Sequence, residues 1–266
     1  MITNKTLLLT ACISPSGMSY TELQDPKLRE AQYLNALKWY LSNTPFIIIL
    51  CENTNYNLPK EFDSYIISGR LEYLTFYGNS NFDRSRGKGV GELQIIKYAL
   101  KNSKLIQSAD CIMKMTGRQV LTNINFIAKI CSNRKCVYAN LTKQNLGIMA
   151  AYSQFFICPK EFFEQVFFKG IDKLDDSRFY YFEHLLFDSI QIWKNDNNGV
   201  FSEFWMPLII NGYSGSTNKK IPTKSHPWTK SIILYFMHKC GIYVYEPSPV
   251  FSDDQIKEFR DIDKKN

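Results

Sequence analysis

Two uninterrupted apolar runs, Thr6–Ile13 and Phe46–Cys51, stand on either side of an amphipathic stretch, and this alternation constrains the fold more than any other feature of the chain. A strand that buries one face alternates apolar and polar side chains. A strand covered by helices on both faces reads instead as a continuous run, as in parallel sheets. The first run closes in Ser14-Pro15-Ser16-Gly17 and the second in Glu52-Asn53-Thr54-Asn55, both turn compositions. Between them, Asp25–Ser42 reads as a helix with Leu28, Ala31, Leu34, Leu37 and Leu41 on one face.

The pattern continues along the chain. Shorter strands are expected at Tyr65–Ser68 and Glu72–Phe76, then a helix at Gly91–Ser103 and a strand at Cys111–Met115. A helix at Asn123–Cys131 precedes strands at Cys136–Asn140 and Ala150–Cys158. Helices at Pro159–Phe168 and Arg178–Lys194 lead to an apolar segment Phe201–Ile210, a helix Trp228–Cys240 and a short strand Ile242–Tyr245. The expected fold is therefore α/β, a mostly parallel central sheet flanked by helices in one domain over residues 1–266.

Composition narrows the functional classes. No stretch approaches the roughly 18–20 apolar residues of a membrane span. The opening MITNKTLLLTACISPSG has one lysine and no convincing cleavage site, so it reads as a buried first strand, and the expected location is cytoplasmic. Seven cysteines without a CxxC pair read as free thiols rather than a zinc site or disulfide frame. A formal charge of +7 suits nucleotide phosphates, an anionic lipid-linked acceptor or an acidic membrane surface. No helix-turn-helix or zinc-finger pattern supports nucleic acid.

In a parallel sheet, ligands bind beyond the carboxyl ends of the strands, which turns strand ends into candidate sites. The Ser14-Pro15 loop and Glu52-Asn53 both follow buried runs; Glu52 reads either as a carboxylate for ribose or base, or as part of a polar turn. Arg86-Gly87-Lys88-Gly89-Val90-Gly91-Glu92 is the densest glycine cluster, suited to a diphosphate at a helix N-terminus or simply to a flexible loop. It matches neither GxGxxG after a strand nor GxxxxGK[ST]. Lys114-Met115-Thr116-Gly117-Arg118 places two cations about a turn, where they could neutralise a departing diphosphate. Glu183 is expected to share a helix face with Phe179, Tyr180 and Phe187, and partial desolvation there would suit a general base. Glu203 is a second candidate base, and His184, Ser214 and Ser216 are candidates for contact with sugar hydroxyls. Asp175-Asp176 and Asp253-Asp254 follow no buried strand and read as a cap region and a solvated tail.

Taken in order, Thr10-Ala11-Cys12-Ile13-Ser14-Pro15, the helix Asp25-Pro26 with Arg29 and Gln32-Tyr33, Cys51-Glu52-Asn53, Gly87-Lys88-Gly89-Val90-Gly91-Glu92, Lys114-Met115-Thr116-Gly117-Arg118 and Tyr181-Phe182-Glu183-His184 resemble small bacterial glycosyltransferases found with capsule and O-antigen genes, which have a GT-A-like fold. The resemblance covers about the first 190 residues and more weakly the rest. It implies a nucleotide-sugar donor held mainly by residues 1–120, and a saccharide or polyprenyl-diphosphate-linked acceptor with the base on residues 121–266. It also implies work at the inner membrane face and, in most such enzymes, Mg or Mn on an Asp-x-Asp motif. Here Lys114–Arg118 stands in that place, and cations could take over the metal's role. Two other classes fit parts of the pattern: a nucleotidyltransferase and a non-catalytic basic module that binds anions.

Overall fold

A computed structural model describes residues 5–78, 82–143, 148–195, 199–214, 218–221, 227–240, 252 and 254–256. The chain begins with β1 (Lys5–Ala11), α1 (Pro26–Asn43), β2 (Ile47–Glu52), α2 (Asp63–Ile67), β3 (Leu71–Thr75), α3 (Lys88–Asn102), α4 (Lys104–Gln107) and β4 (Cys111–Thr116). It continues through β5 (Val120–Leu121), α5 (Ile124–Ile130), β6 (Cys136–Tyr138), β7 (Leu141–Lys143), β8 (Met149–Ala151) and β9 (Phe155–Pro159). α6 (Lys160–Gln165), α7 (Phe182–Asn195), β10 (Val200–Ser202), β11 (Ile210–Asn211) and α8 (Trp228–Lys239) follow.

Among the described residues, seven strands form one sheet in the order β10-β6-β9-β4-β1-β2-β3. β1 pairs in parallel with both β2 and β4, while β9 runs antiparallel to β4 and β6. The α/β architecture expected from the apolar runs is present: a mostly parallel sheet with helices on both sides. Leu7, Leu9, Ile48 and Met113 point to the layer containing α1 and α5; Leu8, Ile49 and Ile112 point to the layer of α3, α6 and α7. Successive strands step outward from β1 to β3, and the chain then crosses back to lay β4 on the other flank of β1. The crevice at the carboxyl ends of β1 and β4 lies at this reversal, the place where an open α/β sheet takes its ligands.

Several local expectations are corrected. α1 starts one residue inside its cap, Asp25, whose carboxylate accepts from the N–H groups of Lys27 and Leu28. Its buried stripe is Arg29, Tyr33, Ala36, Leu37, Tyr40 and Leu41, whereas Leu28 is 55% exposed. Two tyrosines can occupy this face because their hydroxyls are paired. Tyr40 donates to the carbonyl of Gln119 and accepts from Leu121 N–H, and Tyr33 accepts from Cys12 N–H.

The run Tyr65–Ser68 lies at the end of α2 rather than in a strand. The place beside β2 is taken by β3, paired from Leu71 to Thr75, so the earlier run has no neighbour to join. Ala150–Cys158 divides into β8, a hairpin partner of β7, and β9 in the main sheet. The break between them brings Ser153 and Gln154 to the crevice. Phe201–Ile210 likewise holds only the end of β10 and the start of β11. Ile242–Tyr245 and Ser216 fall outside the described residues.

All seven cysteines are free thiols. Among the described residues no helix is long and apolar enough to cross a membrane.

Candidate active site

The crevice at the ends of β1 and β4 has a cavity volume of about 160 Å³, room for an organic ligand rather than a single ion. Thr10, Ala11 and Cys12 supply one wall, and Thr116, Arg118 and Gln119 the next. The turn after β4 fits against β1 only because residue 117 is glycine. Its N–H donates to the Thr10 carbonyl at 2.9 Å, and a Cβ there would stand 2.8 Å from that same oxygen. Lys88, Gly91 and Glu92 enter from the first turns of α3, and Glu183 from the first turn of α7.

Of the residues expected to act on a ligand, Pro15, Asn53, Lys88, Glu92, Arg118, Glu183 and Ser214 line this one crevice. Ser14 sits beside it, its N–H donating to Thr54 Oγ1 and its hydroxyl paired with that of Ser16. Arg118 is 8% exposed, and its Nη1 has no hydrogen-bond partner. Burial lowers its pKa, Tyr33 partly restores it and the neighbouring Arg29 lowers it further. The Oδ1 of Asn53 and the Oε1 of Gln119 are also buried without a partner. Buried polar groups are almost always paired, so three unpaired atoms on residues lining one cavity make it a candidate place for a polar ligand or ordered water.

Other candidates are turned inward. Glu52 is fully buried; its oxygens accept from the N–H groups of Ile13, Thr54 and Tyr56 and from the hydroxyls of Thr54 and Thr75. It ties the ends of β1, β2 and β3 together and has no face toward a ligand. Lys114 is likewise fully buried, ion-paired with Glu92 and donating to the Ser153 carbonyl at 2.6 Å. Arg86 donates to the carbonyls of Ile171, Asp172 and Leu174, locking the turn before α7 to the entry of α3. His184 is buried, with Nδ1 accepting from Tyr181 N–H and burial lowering its pKa. Glu203 lies away from the crevice and accepts from Leu141 N–H at 2.6 Å.

The glycine cluster also serves a different anion from the one expected. The buried Asp176 carboxylate accepts from Gly89 N–H at 3.2 Å, taking the place of a phosphate at the α3 N-terminus. Gly87 has φ +87°, and a Cβ on it would lie 2.3 Å from Asp176 Oδ2; the glycines make room for this side chain. Asp175 caps a 3-10 turn, and Phe179 then adopts a left-handed conformation with φ 61°. α7 therefore begins only at Phe182, so Phe179 and Tyr180 do not share a helix face with Glu183. Glu183 itself is half-buried and accepts from Ser153 Oγ at 2.5 Å.

Sequence reasoning gave no site role to Gln119, Ser153 or Asp176, and named Arg29 and Tyr33 only among the residues of the resemblance. The guanidinium of Arg29 reaches back to the carbonyls of Cys12 and Leu23 and to the Tyr33 hydroxyl, contacts that the sequence pattern does not show. It holds the loop after β1 in shape and adds a second buried cation beside Arg118.

Burial pushes the Asp176 carboxyl up to about 7; Gly89 N–H and Lys88 pull it down and Glu183 adds to the rise. Between its ordinary value of 3.8 and about 7, the native state binds the proton that the unfolded chain releases. Stability from this group is therefore complete at low pH and is lost as pH rises through that window. Asp176→Asn should flatten this slope and, above neutral pH, be more stable than the parent by on the order of a few kcal/mol, seen as a higher melting temperature. Thermal melts at pH values on either side of the window test this; parallel curves for both proteins would refute it.

No protein-family profile and no curated protein matches the sequence. Among solved structures the chain is similar to the glycosyltransferase GlyE of Streptococcus pneumoniae TIGR4, with TM-score 0.48 and 10% identity over 92% of this chain and 66% of that one. It is also similar to 4-diphosphocytidyl-2C-methyl-D-erythritol synthase of Anaerococcus prevotii DSM 20548, with TM-score 0.36 and 13% identity over 88% of this chain and 97% of the other. HddC of Yersinia pseudotuberculosis follows at TM-score 0.28 and 14% identity, over 61% and 80% of the two chains.

Proposed function

We propose that the chain is a glycosyltransferase of GT-A-like build that transfers a sugar from a nucleotide-sugar donor to a saccharide or polyprenyl-diphosphate-linked saccharide in bacterial surface polysaccharide synthesis. One observation supports this reading: Arg118, which has no carboxylate in an ion pair with it among the described residues, and the half-buried Glu183 on a separate element line one crevice at the β1/β4 switch. A cation and a carboxylate facing one cavity suit a reaction in which a phosphate leaves as a hydroxyl is deprotonated.

In this scheme the donor diphosphate lies against Arg118, with Lys88 at the same rim. Asn53 and Gln119 line the same crevice and bring amide groups to the hydroxyl or N–H groups of the donor. Glu183 takes the proton of the acceptor hydroxyl. The freed oxygen attacks the anomeric carbon as the carbon–phosphate-oxygen bond breaks, and attack opposite the leaving group inverts the centre. The diphosphate departs with its new charge next to the guanidinium.

The donor set does not fit a divalent metal. Glu92 is engaged by Lys114 and Glu183 by Ser153, and among the described residues no three His, Cys, Asp or Glu side chains gather. No step here is routed through Mg or Mn.

Incubation with a panel of nucleotide-sugars, with and without EDTA, tests the proposal. Sugar transfer or slow donor hydrolysis with release of nucleoside diphosphate is expected. Pyrophosphate release from a nucleoside triphosphate and a sugar phosphate would instead assign a nucleotidyltransferase. A melting temperature indifferent to UDP, GDP and CMP, with steep salt-dependent binding to polyanions, would leave a non-catalytic module.

A further inference from the structure

We propose that α8, together with the exposed end of α5, is a docking surface for an anionic phospholipid bilayer. The side chains of α8 are unusual for a surface helix. Trp228, Ile232, Ile233 and Phe236 are 43, 38, 57 and 55% exposed, while the small polar Ser231 is buried on the opposite side. Their spacing gathers them on one arc of the helix, so the outward face is the apolar one.

The patch extends beyond the helix. The Trp228 ring meets Trp205 at 6.1 Å, and Trp205 meets Phe126 of α5 at 6.2 Å, with Phe126 47% exposed. A contiguous aromatic surface of this kind marks an interaction site rather than scattered exposure.

Charge selects the occupant. Lys230 and Lys239 lie on α8, and Lys129 follows Phe126 by one helical turn. Between Glu203 and Glu246 the sequence has five lysines (Lys219, Lys220, Lys224, Lys230, Lys239) and no acidic residue; none occurs between Asp110 and Glu161 either. Tryptophan and phenylalanine edged by lysine are the composition of a segment lying at a membrane interface, rings in the acyl boundary and ammonium groups at anionic headgroups. At 12 residues α8 is too short to span a bilayer, which needs about 20. A second copy of the chain fits less well, because a two-fold contact through this face sets each lysine cluster against its own copy.

The proposal is independent of the reaction assigned to the crevice, and its test reads no activity. The intact protein is sedimented with vesicles of phosphatidylcholine alone or with phosphatidylglycerol added, at low and high salt. Binding is expected only with phosphatidylglycerol and should weaken with salt. Lys230→Glu and Lys239→Glu should each lower partitioning by at least about fivefold, and Ile233→Asp with Phe236→Asp by more than about tenfold. All four positions are exposed or at the helix rim, and unchanged melting temperatures verify that the variants fold. Equal binding to both vesicle types, or binding untouched by every variant, overturns the proposal. So does a concentration-dependent dimer that Ile233→Asp dissociates while vesicles leave the protein in solution.

Discussion

Arg118→Leu is expected to weaken nucleoside diphosphate binding by about ten- to a hundredfold, the loss that follows removal of a charged hydrogen-bonding partner. The free protein should meanwhile melt no lower than the parent. The two halves of this result have one cause. Arg118 is 8% exposed, has an unpaired Nη1 and lies beside the second buried guanidinium of Arg29. No ion pair with a carboxylate offsets its desolvation among the described residues. In the free protein it is a buried charge without a counter-charge, and an apolar residue of similar bulk removes that desolvation cost. Only an anionic ligand reverses the balance. Lys114 differs, since Glu92 and the Ser153 carbonyl already hold it, and a substitution there acts first through folding. Calorimetric titration of UDP and GDP into both proteins, with melting curves of the free forms, makes the test. Unaltered affinity for every nucleotide that binds the parent would take Arg118 out of the phosphate site.

The contrast between these two cations shows where the sequence stops being readable. The apolar runs at Thr6–Ile13 and Phe46–Cys51 specify buried parallel strands because the covalent pattern itself carries the information. The rule that ligands gather at strand ends then points to the rim that holds the crevice, and Arg118 and Glu183 both line it. Which strand-end side chains face the ligand is a matter of partners far away in the chain. Lys114 and Arg118 look equivalent in Lys-Met-Thr-Gly-Arg, and only Glu92, 22 positions before Lys114, distinguishes them. The glycine cluster is the clearest case. Glycines before a helix fit any anion, and the anion is Asp176, 87 residues away from Gly89. A carboxylate of this chain and a phosphate of a ligand ask the same of a backbone N–H, so composition cannot separate them. The helical face of α1 is right in Leu37 and Leu41 and in Leu34, which packs against the core, and departs at Leu28 and Ala31 for a related reason: buried hydrogen bonds favour Tyr33, Tyr40 and Arg29.

Glu183→Gln should reduce turnover by about a hundred- to ten-thousandfold, the usual worth of a positioned proton acceptor. Donor affinity should stay close to that of the parent. The amide keeps the length of the side chain and an oxygen that still accepts from Ser153 Oγ, now at 2.5 Å, so the geometry survives while the basic oxygen is lost. The rates must separate accordingly: a fall in kcat with binding intact marks an interaction needed only as the hydroxyl loses its proton. Ser153→Ala supplies the comparison, because it frees Glu183 to move without removing its basicity and should cost far less. Glu203 cannot substitute, being buried outside the crevice with Leu141 N–H on its carboxylate. The other acids near the crevice are already engaged, Glu92 by Lys114 and Asp176 by Gly89 N–H. Wild-type turnover in Glu183→Gln would therefore leave the scheme without a base and remove direct displacement as its chemistry. A product retaining the donor's anomeric configuration would do so as decisively, since a single in-line attack can only invert it.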